Sequence, residues 1–402
     1  MRKLKLYISL GLFLFASLTS CKKDEAIVPN ESSTIENTLI TGSGSTSFQR
    51  LVGGQKLDGF YSVKQTADGG FVFCGFTENQ SASERDILLF KTSNDGSTLW
   101  IKSFTDSYTD QGWFVDVTSD NGFIIAATIS LSPKSHAPVN YSGQLIKTDS
   151  NGNQLWKQTF TFGNYTNFTT VRQTSDGGYI VCGSEYNSDK GILLKTDASG
   201  QESWRKTFGG LVELNSVDKT ADGGFILCGS IKSVSSAPTD IYIIRANSSG
   251  DTLWTKTFGD SSDNTSRTIK EMTSGNFILC GYNTNTPQGA SVFVKLIDAN
   301  GGEIWNSDFY NDNIQALESI TTTNDNQFIA VGRESFSSTS QAYLLKVDGT
   351  GNKVWQKSFN AGGFNMFSEV QQTTDNGFVV AGYSLNSGNG NAYIVKTDIN
   401  GD

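Results

Sequence analysis

From residue 46 onward, short runs of apolar and polar residues are cut by glycine-bearing turns. Ser62-Val63-Lys64-Gln65-Thr66 alternates with the period of two of a half-buried strand. Asp68-Gly69-Gly70 follows, and its glycines supply the positive φ angles that a tight hairpin needs. A β-rich apolar run comes next, as in Phe225-Ile226-Leu227-Cys228-Gly229. After a variable loop, a third strand ends in Lys-Thr-Asp, as at Lys147-Thr148-Asp149. A second glycine hairpin leads to a fourth strand, as in Leu155-Trp156-Lys157-Gln158-Thr159-Phe160. The pattern predicts four strands per unit.

The unit recurs seven times. Its first hairpin begins at Asp68, Asp120, Asp176, Asp222, Ser274, Asp325 and Asp375, with spacings of 52, 56, 46, 52, 51 and 50 residues. Periods near 50 indicate a propeller or solenoid. Only six tryptophans occupy fourth strands: Trp100, Trp156, Trp204, Trp254, Trp305 and Trp355. The seventh unit reaches Gly401-Asp402 in its second hairpin. The missing strand stands at the other end, where Ser47-Phe48-Gln49-Arg50-Leu51-Val52-Gly53-Gly54 aligns with Ser203-Trp204-Arg205-Lys206-Thr207-Phe208-Gly209-Gly210. The expected fold is all-β: a seven-bladed β-propeller whose last blade is completed by the N-terminal strand, which removes a free edge.

Composition agrees with many short strands. Of 402 residues, 42 are glycine, 5 proline and 1 histidine, and 18% are charged, below the roughly 25% of average globular chains. Residues 46–402 resemble bacterial propeller lipoproteins built from Asp-Gly-Gly-Phe and Lys-Thr-Asp-x-x-Gly-x-x-x-Trp repeats. The second half of the unit also resembles the repeat of quinoprotein dehydrogenases, and the first hairpin is faintly similar to bulb-type lectin repeats. These resemblances imply the propeller fold and carry no ligand-binding residue onto this chain.

The N-terminus adds a location. Arg2, Lys3 and Lys5 precede an apolar run, Leu6 to Ala16, too short for a permanent transmembrane helix. Leu18-Thr19-Ser20-Cys21 resembles a bacterial lipobox, which implies cleavage of residues 1–20 and acylation of Cys21. Several acyl chains on one residue anchor stably. Lys22-Lys23-Asp24-Glu25 resembles a tag that sends lipoproteins to the outer face of the outer membrane. Polar residues 21–45 then read as a flexible tether. Removing residues 1–20 takes three positive charges and leaves 28 against 40, a formal charge of −12. Such acidity argues against nucleic acid as a partner. A monomer held to the membrane by its lipid is expected.

Candidate chemistry is sparse. Cys74, Cys182, Cys228 and Cys280 share one position of the second strand, where other blades carry Ala126, Val331 and Ala381. Equivalent positions in different blades are too far apart for disulfides, so these thiols read as small buried hydrophobes. His136 is a lone loop histidine, without the partners that a zinc site or triad needs. Asp-x-x-Gly turns such as Asp149-Ser150-Asn151-Gly152 hint at calcium but lack a run of acidic ligands. Asp110, Glu213, Glu318 and Glu369 fall near strand starts on one face and could include a glycosidase pair. Seven residues before each repeat aromatic stand Lys64, Asp116, Arg172, Asp218, Lys270, Thr321 and Gln371. Their alternating signs predict ion pairs between adjacent blades around the channel, a structural role. No metal and no cofactor is expected.

In a propeller of this strand order, the 4-to-1 and 2-to-3 loops share one face. Variable loops on a rigid frame are where binding usually resides. Trp113 is the one tryptophan outside the repeat position; Tyr61, Arg267 and Glu318 hold its place in other blades. Tyr108, Tyr165 and Tyr310 lie in nearby 4-to-1 loops. These seven residues are the candidate ligand-binding set. The expected function is non-enzymatic binding of an extracellular glycan or envelope protein by a surface lipoprotein. The alternatives are an enzyme acting on polysaccharide through paired carboxylates and a structural scaffold in the envelope.

Overall fold

The computed structural model describes residues 47–53, 57–78, 84–106, 108–131, 140–163, 165–185, 189–286, 289–310, 314–336, 339–386 and 389–402. Cys21, the tether and His136 lie outside the described residues. Each unit of the sequence folds as a blade of four antiparallel strands. In blade one these are Asp58–Gln65, Phe71–Glu78, Arg85–Thr92 and Thr98–Phe104, hydrogen-bonded in chain order. Blades two to six span residues 110–160, 166–208, 212–258, 263–310 and 314–359. Blade seven takes three strands from residues 364–397 and its fourth from Phe48–Val52. A single parallel bridge between Ser340 and Phe364 joins blades six and seven into one eight-stranded sheet. The first strand of every blade touches the first strands of both neighbours, so seven inner strands encircle a channel.

The ring closes as the repeat count requires. Phe48 pairs with Lys396 as Trp204 pairs with Lys195 in blade three. Each fourth-strand tryptophan packs against the repeat aromatic of the next blade: Trp100 on Phe123 at 6.0 Å, Trp156 on Tyr179 at 5.7 Å, Trp355 on Phe378 at 6.3 Å between ring centroids. Phe48 does the same to Phe71 of blade one, at 6.4 Å. A glycine of the next blade's second hairpin takes the other contact. Gly152 (φ 75°) lies so close to Trp100, and Gly96 (φ 83°) to Phe48, that a Cβ on either would come within 2.8 Å of the ring. Each such aromatic pair contributes roughly 0.5–1.5 kcal/mol beyond its burial. The core therefore lies between blades. The cluster holding Val72, Cys74 and Leu89 of blade one also holds Val115, Phe123 and Ile125 of blade two.

The two hairpins of a blade are tied by an ion pair. The first-hairpin aspartate receives the third-strand lysine, as in Asp68–Lys91 at 2.9 Å, Asp176–Lys195 at 2.8 Å and Asp375–Lys396 at 2.9 Å. Arg245 replaces the lysine opposite Asp222. Blade five lacks both members. Ser274 stands in the aspartate position, and Leu296 faces Ile278 where Lys91 faces Val72 in blade one. Lys295, one residue earlier, points to the other side of the sheet and pairs with Glu303.

Candidate binding face at the channel mouth

Every inner strand carries a β-bulge at the same place. The ladder skips Tyr61, Trp113, Thr169, Asn215, Arg267, Glu318 and Ser368. A bulge re-aims the extra side chain, and here it adds a row at the loop end of the inner strands. Trp113 and Tyr61, neighbours in this row, stack with ring centroids 4.6 Å apart. Arg267 and Glu318 also pair, at 3.1 Å, so each satisfies the other's charge.

Trp113 forms one wall of a cleft of about 140 Å³ between blades two and three. Tyr141 and Tyr165, with ring centroids 4.6 Å apart, form another wall, and Gln111, Thr128 and Asn167 supply neutral polar groups. The Trp113 indole N–H donates to the Thr128 hydroxyl at 3.0 Å, which donates to Asn167 Oδ1 at 2.8 Å. These bonds hold the indole plane in place. Tyr108 and Tyr310 are exposed, and neither lines this cleft. Tyr141 and Asn167 are lining residues that sequence reasoning missed; Tyr141 opens a third strand after a long loop, where the repeat gives no alignment. A second cleft of about 380 Å³, between blades three and four, is lined by Glu185, Asp189, Glu213 and Lys232 among others.

Deeper in the channel, the alternating row is only partly a ring of ion pairs. Arg172 lies 3.9 Å from Asp116 and 3.5 Å from Asp218. Lys64 pairs with Glu369 of blade seven instead of Asp116, a correction to the expected pattern. The reason is position: Glu369 stands two residues before Gln371 on the same strand, so its carboxylate reaches across the seam. Lys270 makes no ion pair among the described residues, although Asp218 acts on it through space. Burial depresses the Lys64 ammonium to about 8 against the pull of Glu369. Burial raises the Glu369 carboxyl, but Lys64 and Arg172 outweigh it and hold its pKa below the ordinary value. Phe114 lies between these cations, 4.5 Å from Lys64 Nζ and 4.3 Å from the Arg172 guanidinium.

Three of the four carboxylates weighed as an acid pair are engaged, whereas Glu213 is exposed and lines the second cleft with Glu185 and Asp189. Glu369 holds Lys64, Glu318 holds Arg267, and buried Asp110 accepts the Asp106 backbone N–H at 2.9 Å. In the second hairpin, Asp149 Oδ1 accepts the N–H groups of Asn151 and Asn153 at 2.9 and 2.8 Å, so the turn is closed by its own backbone. Among the described residues no three His, Cys, Asp or Glu gather as a metal-ligand set. The four repeat cysteines are buried and unpaired, and burial pushes the Cys182 thiol up to about 12.

Comparison with known proteins extends no further than the fold. No family model matches the chain, and no curated protein matches it. Among solved structures it is similar to a streptogramin B lyase, with 9% identity and a TM-score of 0.52 over 88% of this chain and 99% of that one. Others are the β-propeller domain of the trilobed protease from Pyrococcus furiosus (9% identity, TM-score 0.49, 85% of this chain and 95% of that one) and a protein of unknown function from Bacteroides caccae (14%, 0.43, 68% and 93%). At these identities the likeness to the lyase shows the fold alone: the chain is a β-propeller.

Proposed function

We propose that this chain is a lipid-anchored protein of the outer membrane, exposed at the cell surface, whose loop face binds a glycan without acting on it chemically. The observation that carries the reading is the cleft at Trp113. Aromatic walls with neutral hydrogen-bonding groups suit a sugar, whose ring offers C–H faces to an indole and hydroxyls to amides and alcohols. Among the described residues no carboxylate lines this cleft, which favours binding over hydrolysis there.

The anchor is proposed from residues 1–25: signal sequence, acylated Cys21 and a surface-directing tag. The path of the chain supports this arrangement. Ser47 donates to the Asp402 carbonyl at 2.9 Å at the hairpin end of blade seven. The proposed tether thus joins the propeller at the hairpin end, opposite the variable loops.

The test is a glycan array probed with the full chain in detergent, beside its Trp113→Ala variant. Binding that the variant loses by about tenfold or more supports the reading, since a central aromatic anchor typically carries that much. A chain that binds no glycan overturns it in favour of a protein partner. Mass spectrometry of the mature N-terminus checks the acylation, which Cys21→Ala abolishes.

A further inference from the structure

A second feature of the loop face is a pair of arginines packed on aromatic rings. Of the described arginines, Arg50, Arg172, Arg205, Arg245 and Arg267 each meet an oxygen as a hydrogen-bond or ion-pair partner. Arg85 and Arg333 meet none among the described residues, and Arg333 Nε is buried without a hydrogen bond. In a chain of net charge −9, acidic partners are not scarce. Both guanidiniums instead lie on aromatic rings: Arg85 on Phe76 at 4.2 Å and Arg333 on Phe364 at 5.1 Å.

These rings are two ends of one strip. Phe76 lies 5.5 Å from Tyr61, Tyr61 meets Tyr383 edge-on at 6.4 Å, and Tyr383 stacks on Phe364 at 6.3 Å. The strip crosses the seam between blades seven and one. Trp113 stacks on Tyr61, so the strip continues into the cleft between blades two and three. Burial raises the Tyr383 hydroxyl's pKa, Arg333 and Arg85 pull it back, and Glu318, itself paired with Arg267, adds to the rise.

A guanidinium stacked on a ring keeps its in-plane N–H edge available and is weakly hydrated, which suits a carboxylate or sulfate. The aromatic strip between the two supplies a platform for sugar rings. We infer that the channel mouth recognises an acidic polysaccharide, with Arg85 and Arg333 each taking an anionic group and the Tyr61–Tyr383 strip carrying the sugars between them. This inference rests on the glycan-binding reading of the same face and narrows its ligand to an anionic chain.

The experiment uses the full chain in detergent against neutral, uronate-bearing and sulfated glycans, with Arg85→Gln, Arg333→Gln and, as a charge-matched control, Arg205→Gln. Thermal melts confirm that each variant is folded. The expected result is preferential binding of one acidic class, weakened about tenfold by either strip variant, the typical weight of a charge-assisted hydrogen bond. Arg205→Gln leaves it unchanged, and Arg85→Lys restores only part. The uronate and sulfate arms tell which anion is read. Binding of neutral glycans that is insensitive to Arg85 and Arg333 overturns this inference and leaves the Trp113 reading standing. Equal loss in the Arg205 control reduces it to bulk charge and also overturns it. No binding to any glycan removes both readings together.

Discussion

Glu369 of blade seven meets Lys64 of blade one across the seam of the ring, and the same carboxylate accepts the Ser62 hydroxyl at 2.5 Å and the Val63 N–H at 2.9 Å. Three donors from blade one thus converge on one buried acid from blade seven. Glu369→Ala strands a buried ammonium and is expected to cost about 3–5 kcal/mol. Pairing Glu369→Gln with Lys64→Met keeps an acceptor for Ser62 and Val63 and removes the charge. That double variant is expected to recover most of the loss. Urea unfolding of the variants checks this; an Ala variant as stable as the parent would show that the seam does not depend on the pair.

The hairpin ion pairs make stability sensitive to acid. Asp176 receives Lys195, the Thr174 hydroxyl at 2.6 Å and the Gly178 N–H at 3.0 Å, which hold its carboxyl down to about 2. A depressed folded-state pKa stabilises the fold above the ordinary value of about 4, and the benefit is lost as pH falls toward 2. The carboxylate is largely exposed, so solvent screening limits the pair to about 1 kcal/mol or less. Asp176→Asn is therefore expected to be less stable than the parent at pH 7 and equal to it at pH 2. Denaturation midpoints at the two pH values decide it, and a gap that persists at pH 2 would assign the effect to the turn itself.

Blade five offers the reverse experiment. Ser274→Asp and Leu296→Lys would install the pair that six other blades carry. Leu296 is buried beside Trp305, so Leu296→Lys alone is expected to destabilise. The double-mutant cycle should show a favourable coupling of about 0.5–1 kcal/mol. Coupling near zero would mean that the pairs elsewhere contribute little.

The fold was legible because a propeller is periodic. A seven-fold hairpin beside a six-fold tryptophan locates the chain break and names Phe48 as the substitute. The hairpin ion pair was also within reach, since the aspartate and the lysine are both absent from blade five, where Ser274 and Leu296 take their places. The bulges were not visible, because one extra residue in a strand of eight or nine leaves the alternation on either side intact. They explain why Tyr61 and Trp113 meet and why Arg267 consumes Glu318. The Lys64–Glu369 pair was missed for a related reason: an aligned row compares residues at one depth, whereas a long lysine reaches an acid two positions away. Arg85 and Arg333 lie beyond the aligned segments, next to loops of unequal length, and only the folded ring brings them to one strip.

The strand that closes the ring has a mechanical consequence. Residues 48–52 are its whole length, and the chain that precedes them enters at Ser47. In the proposed anchored protein, tension arriving through the segment before Ser47 would meet these five residues of antiparallel ladder before the rest of the propeller. Peeling them would expose the third strand of blade seven as a raw edge and uncover Phe71. On the proposed anchoring, latch and mooring line are one segment, so a pull strong enough to strain the anchor acts first on the clasp of the ring.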